Sequence, residues 1–127
     1  MPGEWYDGLD KPPGNPPGWV FGPVWTALYL MIAVAGWRIW RVQRRWRPAL
    51  WLWLAQLLAN ALWSYLFFGL QRPGLALVDI TVLLVLIAWT IVRFKPIDHL
   101  AAWLMVPYWL WVFFATYLNA SLWYLNR

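Results

Sequence analysis

Amides and aromatic rings at helical spacing are the groups in this chain with chemistry to offer. Gln56, Asn60, Trp63 and Phe67 stand at i, i+4, i+7 and i+11, which stacks two amides and two rings on one face of a helix. Tyr108, Trp111, Ala115, Asn119 and Leu122 share a second such face, where Ala115 leaves space between larger groups. Trp25, Tyr29, Ile32 and Gly36 form a third. Amides hydrogen-bond, rings stack and small residues leave room, so three such faces turned inward describe a pocket for a flat, largely apolar ligand.

Asp79 is the only acid inside an apolar run, and a carboxylate in hydrocarbon is costly enough to face a cavity or a partner. Two roles are open to it: a functional group in a cavity, or a hydrogen-bonded tie to Thr26, Gln56 or Asn60 that knits helices together. The means for catalysis are thin. There is no cysteine, hence no disulfide framework and no thiolate metal site, and the single histidine, His99, stands beside Asp98 at a helix start. No Ser-His-Asp set and no paired acid and base occur. A haem iron would need axial ligands that neither His99 nor Met105 supplies as a pair. No catalytic residue, no metal and no covalently bound cofactor are expected.

The elements that must position these faces are four apolar runs, at about 19–40, 49–70, 74–94 and 100–125, each of the roughly 20 residues that a spanning helix needs. With 63% apolar and 12% charged residues in 127, the whole of 1–127 reads as one all-α integral membrane domain. R-V-Q-R-R-W-R-P, Q-R-P-G and R-F-K-P-I-D separate the runs, and connections this short imply an up-and-down four-helix bundle. Ahead of them, Pro12, Pro13, Pro16 and Pro17 hold the chain non-helical, so 1–18 is a shaped loop outside the membrane.

The net charge of +5 flanks the spans instead of striping a soluble face, which argues against nucleic acid. Arg38, Arg41, Arg44, Arg45 and Arg47 gather at the first connection, with Arg93 and Lys95 at the third. By the positive-inside rule those connections are cytoplasmic and both termini extracytoplasmic. Of the fourteen tryptophans, Trp19, Trp37, Trp40, Trp46, Trp51, Trp53, Trp89, Trp103 and Trp123 lie near span ends and suit the interfacial belt. Trp25, Trp63 and Trp111 lie deeper, where each indole N–H needs a partner or a cavity. Ala55 and Ala59 make a small-xxx-small pair that would let another helix approach closely.

W-Y-D-G-L-D-K-P at 5–12, P-P-G-W-V-F-G-P-V-W-T-A-L-Y at 16–29, Q-L-L-A-N-A-L-W-S-Y-L-F-F-G-L at 56–70, A-L-V-D at 76–79 and P-Y-W-L-W-V-F-F-A-T-Y-L-N at 107–119 run through nearly the whole chain. With these blocks in this order the chain resembles the TspO family of tryptophan-rich sensory and translocator proteins. The resemblance implies an integral membrane protein of the bacterial inner membrane that binds porphyrins and related tetrapyrroles, or sterol and lipid, in a sensory or regulatory role. It implies that 1–18 is a lid over the pocket. It places Tyr6 and Pro16 of the lid, Trp25 and Tyr29 of the first span, Asn60 and Trp63 of the second, and Trp111 and Ala115 of the last at the ligand. Gln56, Asp79 and Asn119 remain as intramembrane polar groups. Light-driven porphyrin breakdown, reported for some members, would need only tryptophans beside a photosensitising ligand.

Two departures from the family stand out. Gly14 occupies a lid position where tryptophan is usual. The family fold has five helices, and the spans here match helices two to five. The missing wall is therefore expected from a second copy in a homodimer, from another membrane subunit, or from a longer form of the chain, with the open flank on the first and last spans at Thr26, Gly36, Ser121 and Asn119. An accessory subunit of a larger membrane complex, its pocket filled by lipid or pigment, is the alternative reading.

Overall fold

Spanning helices start where proline can be tolerated and stop where the apolar pattern ends. The computed structural model describes residues 21–126, in which α1 (Phe21–Gln43), α2 (Pro48–Ser64), α3 (Pro73–Phe94) and α4 (His99–Asn126) follow one another. The expectations for the lid, and for Tyr6 and Pro16 in it, lie outside the described residues. Pro48 and Pro73 open α2 and α3 at a first-turn position where a missing N–H costs nothing. Asp98 opens α4 by accepting a hydrogen bond from the Leu100 amide at 3.3 Å. All four helices are long and apolar enough to cross a membrane, as the four runs lead one to expect.

Two boundaries differ from the sequence expectation. α1 continues three residues past Trp40, so Arg41 still stands on the helix and its guanidinium lies over the Trp37 ring at 4.9 Å. α2 passes into a π-helical stretch, Tyr65–Gly69, instead of running on as α-helix to Leu70. The wider turn brings Phe67 inward, where it stacks on Trp63 with ring centroids 5.3 Å apart.

The helices do not pack in simple chain order. α1 lies along α4, α4 along α3 and α3 along α2, whereas α1 and α2 approach closely at few positions despite their short connection. The weak seam is thus between α1 and α2. This corrects the expected open flank: α1 and α4 cover one another, Asn119 is buried, and Gly36 is buried under Trp53. Of the groups named for that flank only Thr26 is exposed, and its hydroxyl donates to the Gly22 carbonyl at 2.9 Å.

Trp53 closes part of the seam. Its indole donates to the Ile32 carbonyl at 3.0 Å and its ring lies on Gly36, so it is a packing residue and not the belt residue its position suggested. Trp37, Trp51, Trp89 and Trp103, by contrast, are exposed at the span ends, as a belt requires. At the same end as Trp53, Arg38 of α1 grips both oxygens of Asp98 ahead of α4, with Nε–Oδ2 at 2.5 Å. That hydrogen bond, more than any other contact, holds the Asp98 carboxyl below the usual carboxylate range.

Glycine spacing gives this packing a direct test. A Cβ on Gly36 would come within 2.5 Å of the Trp53 ring, whereas one on Gly22 meets nothing within 4 Å. Gly36→Ala is expected to cost about 1–3 kcal/mol by displacing Trp53. Gly22→Ala should be neutral or stabilising, by up to about 1 kcal/mol. Thermal unfolding of the two variants in the same detergent checks the contrast.

Candidate ligand-binding site

A buried tyrosine must find partners for its hydroxyl, and in hydrocarbon those partners can come only from the bundle. Tyr108 of α4 is fully buried. Its hydroxyl donates to Gln56 Oε1 at 2.7 Å and accepts from Asn60 Nδ2 at 2.8 Å, both on α2. Asn60 Oδ1 in turn accepts from the Tyr29 hydroxyl of α1 at 2.8 Å, and Gln56 Nε2 donates to the Trp53 carbonyl at 2.7 Å. One chain of hydrogen bonds therefore joins three helices. Gln56 and Asn60 are both buried, so their expected inward face is correct.

A second polar tie lies toward the far end. The Trp63 indole donates to Asn119 Oδ1 at 2.8 Å, and Asn119 Nδ2 donates to the Pro73 carbonyl at 2.8 Å, which links α2, α4 and the start of α3. Asn119 thus supplies a carbonyl and an amide to two different helices.

Between these ties the aromatic rings converge on Trp25. Its ring centroid lies 5.6 Å from Tyr29 and 6.3 Å from Trp63, both tilted, and 6.5 Å from Tyr108 and 6.4 Å from Trp111, both edge-on. Edge-on and tilted contacts suit ring quadrupoles and leave some ring faces turned away from their neighbours. Trp25 and Trp63 are buried, Trp111 is partly buried, and Tyr29 remains 42% exposed toward the α1–α2 seam. Ala115 is buried one helical turn from Trp111. The six expected site residues that are described therefore come from three helices and share one neighbourhood of the bundle.

Tyr108 and Gln56 contribute more than the sequence indicated. Spacing marks Tyr108 as one member of a helical face, and its hydroxyl is the junction of the network. The signal available was its place three residues before Trp111 on an inward face, where a phenol must be satisfied.

Asp79 departs from the role of a tie between helices. It sits six residues into α3, roughly 9 Å along the axis. Its Oδ2 is buried and has no hydrogen-bond partner. The tie to Thr26, Gln56 or Asn60 does not form; those three groups bond instead to Gly22, Tyr108 and Tyr29. Among the described residues, no group of three or more His, Asp or Glu side chains is placed to hold a metal ion. The arrangement gathers rings, amides and phenols in one neighbourhood.

A family model for the TspO/MBR family matches residues 1–125. The chain belongs to the TspO/MBR family. A tryptophan-rich sensory protein from Cereibacter sphaeroides is 41% identical over 125 residues, covering 98% of this chain and 78% of that relative. A tryptophan-rich protein TspO from Chlorobaculum tepidum is 41% identical over 133 residues, covering 98% and 82%. The translocator protein of Homo sapiens is 38% identical over 125 residues, covering 94% and 73%. TspO/MBR membership accounts for the sequence resemblance, and the bundle supplies the geometry that goes with it.

The network and Asp79 predict opposite responses to loss of a polar group. Tyr108→Phe leaves Gln56 and Asn60 each short of a partner and should cost about 2–3 kcal/mol, whereas Tyr29→Phe, half-exposed, should cost about 1 kcal/mol or less. Asp79→Leu removes an unpartnered carboxylate oxygen and should raise the unfolding temperature in detergent. Thermal unfolding of the three variants, followed by helical circular dichroism, checks both signs.

Proposed function

We propose that this chain is a membrane-embedded binding protein for flat, hydrophobic ligands of the tetrapyrrole class, acting in a sensory or regulatory role. The observation that carries the reading is the convergence of Tyr29, Trp63, Tyr108 and Trp111 around Trp25 beside the Asn60–Tyr108–Gln56 network. A porphyrin has large faces for stacking and a polar carboxylate edge, and this neighbourhood offers rings for one and donors for the other. The sensory part of the reading rests on the name carried by the Cereibacter sphaeroides relative.

In this reading residues 1–18 are the lid of a single domain, with Tyr6 and Pro16 as its ligand contacts. The end that carries Arg41, Arg44, Arg45 and Arg47 faces the cytoplasm of a bacterial inner membrane, because basic residues resist translocation, and both termini lie outside. Ligand then enters from the extracytoplasmic side.

Protoporphyrin IX added to the detergent-purified protein should quench its tryptophan emission to saturation. Trp111→Ala should weaken that binding by about tenfold, a loss of one stacking surface. Unchanged affinity in single alanine variants of Trp25, Trp63 and Trp111 would defeat the proposal.

A second reading is favoured by the sparse α1–α2 contact. A further helix, from the same polypeptide or from a partner subunit, fits that seam and would cover Tyr29. Cysteine at Ala33, exposed on α1, should then crosslink to that helix in native membranes, whereas a cysteine at Val85, exposed on α3, should not.

A further inference from the structure

Each hydrogen bond of the Tyr108 network orients the next, so the direction of the whole chain follows from its buried end. The Trp53 main-chain carbonyl can only accept, hence the Gln56 group that meets it at 2.7 Å is the Nε2 amide. Gln56 Oε1 then faces Tyr108, whose hydroxyl must donate to it at 2.7 Å. With its proton committed, the Tyr108 oxygen accepts from Asn60 Nδ2 at 2.8 Å. Asn60 Oδ1 is thereby turned toward α1, where the Tyr29 hydroxyl commits its own proton at 2.8 Å. Reversing the chain would set Gln56 Oε1 against the Trp53 carbonyl, two acceptors with no hydrogen between them.

The Trp63–Asn119–Pro73 tie has no such open end. It starts at an indole N–H, which only donates, and finishes at a main-chain carbonyl, which only accepts. The Tyr108 network finishes instead at the Tyr29 hydroxyl, whose proton is taken and whose remaining capacity is to accept. Gln56, Asn60 and Tyr108 are at most 1% exposed, whereas Tyr29 is 42% exposed and its ring stands 5.6 Å from that of Trp25. The open end of the network therefore lies at the aromatic neighbourhood, and in hydrocarbon no water is at hand to donate to it.

We propose that Tyr29 sets ligand specificity by accepting a hydrogen bond, so that the site selects flat ligands whose polar edge carries an O–H or N–H over those whose edge only accepts. This selectivity belongs to the proposed tetrapyrrole site and rests on that reading of it. A carboxyl edge fits Tyr29 as the neutral acid, with its O–H directed at the phenol oxygen. Ionised, it would set lone pairs against lone pairs in a medium where a carboxylate is already costly. Gln56 is a positioning residue for the selectivity: fully buried itself, it imposes the direction of the chain through its bond to Trp53.

The test uses two neutral porphyrins with the same ring and the same inner N–H groups. Protoporphyrin IX dimethyl ester has an edge that only accepts, and the diol obtained by reducing both ester groups to alcohols has an edge that also donates. Tryptophan-quenching titrations of the full chain in mild detergent should show the diol bound about tenfold more tightly than the diester, the worth of one hydrogen bond. Tyr29→Phe keeps the ring, removes the acceptor and leaves Asn60 Oδ1 2.8 Å deeper, so the ratio should fall close to one. Gln56→Leu frees Asn60 and Tyr108 to turn over and should narrow the ratio without altering the edge of the site; an unchanged ratio there would overturn the positioning role. Equal affinities in the wild-type protein, a tighter diester, or a tenfold ratio that survives Tyr29→Phe would overturn the specificity proposal while leaving the ligand site standing. Failure of both porphyrins to saturate the wild-type protein would overturn the ligand site and the proposal together.

Discussion

In hydrocarbon a polar side chain has no water to fall back on, and the Tyr108 hydroxyl shows how this bundle meets that constraint. By donating to Gln56 and accepting from Asn60, it ties α4 to α2, and Asn60 carries the tie to Tyr29 of α1. Apolar helices in lipid gain little from the hydrophobic effect when they associate, so directional bonds of this kind, with close packing, set their register. Trp63, Asn119 and the Pro73 carbonyl repeat the device across α2, α4 and α3. The aromatic cluster sits among these ties, which hold its rings at tilted and edge-on angles and so keep them from collapsing into one stack.

Much of the inward architecture was legible because helical periodicity is a local property of sequence. Gln56, Asn60, Trp63 and Phe67 could be assigned to one face by spacing alone, and all four are buried. Which helix lies against which was not legible, since periodicity names a face but not its neighbour. The weak seam therefore lies between α1 and α2, and Asn119, expected on an open flank of the last span, is a buried junction. Trp53 departs from expectation for a similar reason: its distance from the span end suits a belt, and only the glycine across the seam draws it inward. The π-helical stretch depends on where one extra residue is accommodated, and the pattern at 65–69 does not announce it.

Asp79 shows the limit of reasoning from cost alone. The cost of a carboxylate in a span argues for a partner, yet Asp79 Oδ2 has none, and Thr26, Gln56 and Asn60 bond to other groups. At the arginine-rich end the carboxylate is paired: both Asp98 oxygens accept from Arg38.

The central claim is that the Trp25 neighbourhood, and not the interfacial tryptophans, receives a flat ligand. Indole ¹⁵N–¹H resonances of the protein in detergent, assigned by single substitutions and followed during protoporphyrin IX addition, test it most directly. The account predicts that the Trp25, Trp63 and Trp111 indoles shift together and saturate at one ligand per chain, while Trp37, Trp89 and Trp103 stay in place. Shifts confined to those exposed indoles, or spread evenly over all of them without saturation, would show partitioning into the interface and contradict it.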